Sequence, residues 1–92
     1  MSLLADTSRP RLADKARLKW DAVREKHMLL APEAVLVLNN TAHEVLLLCD
    51  GRRTVAEIVQ ALRAEYSSDA IDGDVKEILQ TLHQKTFITL DE

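Results

Sequence analysis

The residues of this 92-residue chain with chemistry to offer are three histidines, one cysteine and a cluster of acids. They are His27, His43, His83, Cys49, and the carboxylates Asp69, Asp72, Asp74 and Glu77. Such groups bind metals or act as nucleophiles and bases when the chain gathers them. The spacing here does not gather them. His43 and Cys49 are six apart on one expected helix, which does not place both on the same side within one turn. No C-x-x-C or H-x-x-x-H occurs, and Cys49 has no base beside it in sequence, so it reads as a buried structural thiol. The acids lack the ordered D-x-[DN]-x-[DN]-G run, with a later Glu, of a calcium loop. Acids at the start of a helix complement its dipole instead. There is no phosphate loop and no G-x-S-x-G. The expectation is a non-enzyme: no catalytic residue, no metal site and no cofactor.

Composition agrees with a binding role. The length fits one domain with one modest core. An apolar fraction of 47% and a charged fraction of 29% are ordinary for a soluble protein. The aromatics are Trp20, Tyr66 and Phe87. No apolar run is long enough for a membrane span, and Leu3-Leu4-Ala5 is too short for the core of a signal peptide. With a single cysteine on an apolar helix face, these features suit a reducing, cytoplasmic setting. The net charge of −3 is unevenly spread: residues 1–26 hold seven basic and four acidic residues (+3), and residues 27–92 hold five and eleven (−6).

The elements that must position a binding site centre on residues 32–51. Ala31-Pro32-Glu33-Ala34 reads as a turn. Ala34 to Leu38 reads as a strand, bounded at its far end by Asn39-Asn40. Its faces are Val35/Val37 and Ala34/Leu36/Leu38, both apolar, so both ask to be covered. One can take the domain's own helices. The other, or the open edge, can take a partner. Thr41 with Glu44 reads as a capping box opening a helix that Asp50-Gly51 ends.

Upstream, residues 1–16 show no steady period and contain Pro10, which predicts a flexible N-terminal arm before a single domain over residues 17–92. Residues 17–21 alternate polar and apolar as a half-buried strand, and residues 27–31 form a second one. Downstream, Thr54 and Glu57 make a second capping box. Val55, Ile58, Val59, Leu62 and Tyr66 form one helical stripe. Ile71, Val75, Ile78, Leu79 and Leu82 mark a third helix ending near Gln84, and residues 87–90 a short strand. The expected fold is α+β: a three-stranded antiparallel β-meander, then three helices and a short terminal strand, in a winged helix-turn-helix-like arrangement.

A helix-turn-helix invites comparison with nucleic-acid binders. Charge opposes that reading. Residues 67–84, which would contain the recognition helix, hold four acids and one base. Phosphate affinity needs Lys and Arg there. A winged-helix nucleic-acid binder is therefore kept as an alternative only. Another is a structural dimeric subunit in which the strand at 34–38 pairs with itself.

The laid-out residues resemble the PqqD family of pyrroloquinoline quinone biosynthesis. The resemblance rests on an ordered set. It comprises Arg17-Leu18 with Trp20, His27, Leu30 before Pro32-Glu33, Leu38-Asn39 before Thr41-Ala42, and Leu48 before Asp50-Gly51-Arg52. It continues through the Val55/Ile58/Val59 stripe and Asp74-Val75 to Lys85 before Phe87-Ile88. Ala34 departs from an expected Gly, and Asn40 from a common acid. The resemblance implies a peptide chaperone of the RiPP recognition element type. Such a protein binds the ribosomal precursor peptide PqqA and presents it to the radical SAM enzyme PqqE, which cross-links a Glu and a Tyr within it. It further implies that the peptide adds as a strand beside Ala34, Val35, Leu36, Val37 and Leu38. The groove wall would come from Val75, Ile78, Leu79 and Leu82 of the third helix. Neither nucleic acid nor membrane is an expected partner; a homodimer is compatible with the open edge.

Overall fold

The structure is a computed structural model, described here for residues 5–67 and 70–91. Four strands precede three helices and a last strand. They are β1 (Arg9–Leu12), β2 (Arg17–Asp21), β3 (Lys26–Ala31), β4 (Ala34–Leu38), α1 (Asn40–Leu47), α2 (Val55–Tyr66), α3 (Ile71–Gln84) and β5 (Ile88–Asp91). The expected α+β class holds. Strands β2, β3 and β4 form an antiparallel meander in that order, and β1 and β5 form a separate two-stranded sheet.

The meander follows from its turns. Asp21 ends β2, and its carboxylate accepts hydrogen bonds from the backbone N–H groups of Val23 (3.0 Å) and Arg24 (3.2 Å). That Asx turn, with Glu25 at a positive φ of 54°, reverses the chain without a glycine. Pro32-Glu33 forms a two-residue loop closed by the pair Ala31–Ala34, as the turn signal predicts.

One face of this sheet packs on the helices. The core gathers Leu29 and Leu38 with Val45, Leu46 and Cys49 of the α1 region. It adds Val55, Ile58, Val59 and Leu62 of α2, Ile71, Val75, Leu79 and Leu82 of α3, and Phe87 and Ile88. The stripes expected for α2 and α3 supply most of it. Tyr66, at the end of the α2 stripe, is exposed instead, and its hydroxyl donates to the Glu44 carboxylate at 3.0 Å. Arg63 and Asp72 join α2 to α3 through a two-pronged ion pair.

Residues 5–16, in the stretch expected as an arm, hydrogen-bond to the rest of the chain. Ser8 is fully buried. The carbonyls of Asp6 and Ser8 accept from Ala56 N–H (3.1 Å) and Val55 N–H (2.9 Å). These are first-turn donors of α2 that have no partner inside the helix. The Pro10 carbonyl accepts from Gly51 N–H at 3.0 Å, and Ala13 N–H donates to the Phe87 carbonyl at 2.9 Å. Pro10 is tolerated in β1 because β5 is the one strand β1 pairs with among the described residues, its other side meeting only an isolated bridge between Arg11 and Asp50. The part of the arm at residues 1–4 lies outside the described residues.

The start of α1 also differs. Asn39, not Thr41, is the N-cap: its backbone is extended and its side chain accepts from Ala42 N–H at 2.8 Å. Asn is among the best N-cap residues, and this frees Glu44 for Tyr66. The helix ends at Leu47, ahead of Asp50-Gly51. Gly51 takes the left-handed conformation (φ 77°) within a turn in which Asp50 accepts from the N–H groups of Arg52 and Arg53.

The capping box of α2 is present in full. Thr54 Oγ1 accepts from Glu57 N–H (3.2 Å), and Glu57 accepts from Thr54 N–H (2.9 Å). Replacing Thr54 by Ala is expected to lower the free energy of unfolding by about 1 kcal/mol in urea denaturation, with an unchanged slope.

Candidate functional site

Strand β4 has one neighbour. Its partner is β3, and among the described residues its other edge carries no strand. The hydrogen-bonding sense of that edge follows from the register. The pair Ala31–Ala34 closes the two-residue loop and is therefore a hydrogen-bonded pair. By alternation Leu29–Leu36 and His27–Leu38 are hydrogen-bonded too. The pairs Leu30–Val35 and Met28–Val37 are not. The N–H and C=O groups of Val35 and Val37 thus point away from β3, toward the open edge.

Alongside that edge runs a groove of about 420 Å³ between β4 and α3. The β4 side supplies Leu36, Val37 and Leu38, the start of α1 supplies Asn39, Thr41 and Ala42, and α3 supplies Asp74, Glu77, Ile78, Thr81 and Leu82. A second hollow of about 660 Å³ continues past the other end of β4. There residues 31–36 face Ala13 to Ala16 and the Lys85-Thr86-Phe87 connection. Leu36 lines both. The two hollows together flank β4 from end to end.

The nine candidate residues fall into three groups. Ala34, Val35 and Val37 are exposed, at 63% for Val35 and 47% for Val37, although an apolar strand face would ordinarily be covered. Leu36 and Ile78 are half-buried beside the groove. Leu38, Val75, Leu79 and Leu82 are core residues, and of these Leu38 and Leu82 also form the groove floor. Val75 and Leu79 are fully buried and do not line it.

The α3 wall is instead the stripe Asp74, Glu77, Ile78 and Thr81, at i, i+3, i+4 and i+7. This second helical face lies beside the core stripe and could have been read from spacing. Asp74 and Glu77 have no ion-pair partner among the described residues, whereas Asp72 is held by Arg63. Asp69, the fourth acid of the sequence cluster, lies outside the described residues.

Two histidines far apart in sequence meet at the Leu38 end of β4. The rings of His27, opposite Leu38, and His43 of α1 stack at 3.5 Å with 10° between planes, and Trp20 tilts against His27 at 4.8 Å. Burial pulls the His43 pKa below its ordinary value of 6.5, and the His27 charge adds to this; Glu44 opposes it.

Among the described residues no group of three or more His, Cys, Asp or Glu side chains could hold a metal ion. Cys49 is buried, its thiol donating to the Val45 carbonyl at 3.2 Å. Burial, with Asp50 adjacent, pushes its pKa up to about 12, which removes the thiolate a nucleophile requires. No helix among the described residues is long and apolar enough to cross a membrane.

A meander with an open edge, backed by a helical bundle and grooved along that edge, defines a small α+β winged-helix-like binding domain. The model of the coenzyme PQQ synthesis protein D (PqqD) family matches residues 26–88, and the chain belongs to that family. Relatives named PqqA binding protein include one from Rhodopseudomonas palustris strain TIE-1. It is 47% identical over 94% of this chain and 86% of its own length. Another, from Xanthomonas axonopodis pv. citri, is 44% identical over 98% and 100%. Among solved structures, the chain superposes on the NMR structure of the PqqD truncation of Methylobacterium extorquens PqqCD. The TM-score is 0.80 and the identity 40%, over 96% of each chain. That protein is described as a functional, stand-alone RiPP recognition element. The crystal structure of PqqD from Xanthomonas campestris is also 40% identical, over 94% of this chain and 98% of that one, with a TM-score of 0.57.

The histidine stack carries a prediction. A His whose folded pKa is depressed binds its proton less readily in the fold than when unfolded. Its contribution is therefore fully present above pH 6.5 and is lost as the pH falls through the folded value. Between about pH 7.5 and about 5.5, the melting temperature of the native chain should drop more than that of His43→Phe, which keeps a ring in the stack but cannot titrate. Parallel pH profiles for the two proteins would contradict this.

Proposed function

We propose that the chain binds the ribosomal precursor peptide PqqA as an added strand on β4 and presents it to the radical SAM enzyme PqqE. The observation that carries the reading is the open edge of β4, with the outward N–H and C=O groups of Val35 and Val37, set beside a groove walled by α3. Relatives named for PqqA binding support it, as does the likeness to a RiPP recognition element.

Strand addition divides the work between backbone and side chains. Affinity comes from main-chain hydrogen bonds to Val35 and Val37. Selectivity comes from alternate side chains of the peptide, which drop into the groove between Leu36 and Ile78. Asp74 and Glu77 on the rim favour a basic peptide residue there. The chain itself makes and breaks no covalent bond: it holds a substrate for another protein's chemistry. Its α3 carries Asp72, Asp74 and Glu77 against one Lys76, which disfavours a nucleic-acid reading of the same fold.

Val37→Pro is the direct test. It deletes an N–H that the β3 ladder does not use, so the fold should survive, as judged by circular dichroism. Its affinity for synthetic PqqA should fall by about tenfold or more. Leu36→Pro removes a ladder hydrogen bond and should unfold the sheet. Undiminished peptide binding by a folded Val37→Pro protein would sink the strand-addition reading.

A further inference from the structure

The second apolar face of β4 is left uncovered. Cross-strand register places Val35 and Val37 on the same side of the sheet as Leu30 and Met28 of β3. Of the four, Val35 and Val37 are exposed, Leu30 is half-buried and Met28 is buried under its neighbours on this face, apart from the main core cluster on the opposite side. On β2 this outer face carries Arg17 opposite Leu30 and Lys19 opposite Met28. The face therefore grades from apolar at the β4 edge to cationic at the β2 edge.

Among the described residues no carboxylate neutralises these cations. Neither Arg17 nor Lys19, nor the neighbouring Lys26, has an ion-pair partner among the described residues. The one acid in these outer-face rows, Asp21, is engaged by the N–H groups of Val23 and Arg24 and by the Arg24 guanidinium. This stands out in a molecule of net charge −3. A second copy stacked through the same face has no free carboxylate row to offer in return. The complement of this surface is an apolar patch bordered by acids.

We infer that the outer face of the β2–β3–β4 sheet docks a protein partner presenting apolar side chains bordered by carboxylates, and that this partner is the peptide-modifying enzyme. The inference rests on the proposed function and adds a surface to it. A strand added to β4 extends the sheet, so every second peptide side chain lies in line with Val35 and Val37 on this same face. The intervening side chains point into the α3 groove. A partner that covers the outer face therefore meets both the chaperone and the side chains it leaves exposed. Arg17 and Lys19 lie two strands away from the peptide edge, which separates enzyme docking from peptide capture.

The test is the double substitution Arg17→Glu with Lys19→Glu at two exposed positions. Affinities for purified PqqE and for synthetic PqqA are measured on the same samples, at low and high salt, with light scattering for oligomeric state. The inference predicts that PqqE binding by the native chain weakens with salt, and that the double variant loses about tenfold or more while PqqA affinity stays within about twofold. Equal PqqE affinity in both proteins overturns it. So does a native dimer that dissociates in the variant, or charge-dependent binding to vesicles containing phosphatidylserine with PqqE binding unaffected. A native chain that binds PqqA but never PqqE overturns both the inference and the presentation step, while strand addition would stand.

Discussion

A β-strand with a neighbour on one side only has half of its backbone hydrogen-bonding capacity unspent. In β4 that half belongs to Val35 and Val37. Much of the surrounding structure bears on how this edge is held in place. The Pro32-Glu33 loop sets the register, and the register decides which N–H groups face out. Packing of Leu36 and Leu38 onto the helices holds the strand in place, so a one-residue slip would bury the wrong face. Helix α3 lies beside the edge, with Asp74, Glu77 and the half-buried Ile78 lining the groove between them.

The N-terminal strand is part of the same support. β1 and β5 tie the two ends of the chain together, and the Asp6 and Ser8 carbonyls cap the first turn of α2. The end of α3 is thereby linked, through the Phe87 carbonyl and Ala13 N–H, to the residues just ahead of β2. The hollow at the Ala34 end of β4 lies between these segments, so its shape depends on β1 being in place.

Periodicity and turn chemistry made much of this legible. The α2 and α3 stripes, the Thr54–Glu57 box, the Pro32-Glu33 reversal and the two-faced strand at 34–38 all stand in the structure. What was not legible depended on distant partners. β1 has no pattern of its own because it is four residues long and takes its hydrogen bonds from the far end of the chain. Thr41 with Glu44 reads as the cap in sequence, but the extended backbone at Asn39 places the cap two residues earlier. At the groove, α3 as the wall came from the family resemblance, and helical spacing supplied only the apolar stripe of that helix as candidates. That favoured Val75 and Leu79, which the core consumes, over Asp74, Glu77 and Thr81, which face the groove. The stacking of His27 on His43 joins a strand to a helix and leaves no local trace.

The central claim is that PqqA completes the β4 ladder, and hydrogen exchange at two amides tests it most directly. In the free protein the N–H groups of Val35 and Val37 face solvent and should exchange quickly, while those of Leu36 and Leu38 are protected by β3. Saturating PqqA should slow exchange at Val35 and Val37 and change Leu36 and Leu38 little. If PqqA binds while those two amides keep exchanging as fast as before, the peptide is held somewhere other than the open edge of β4.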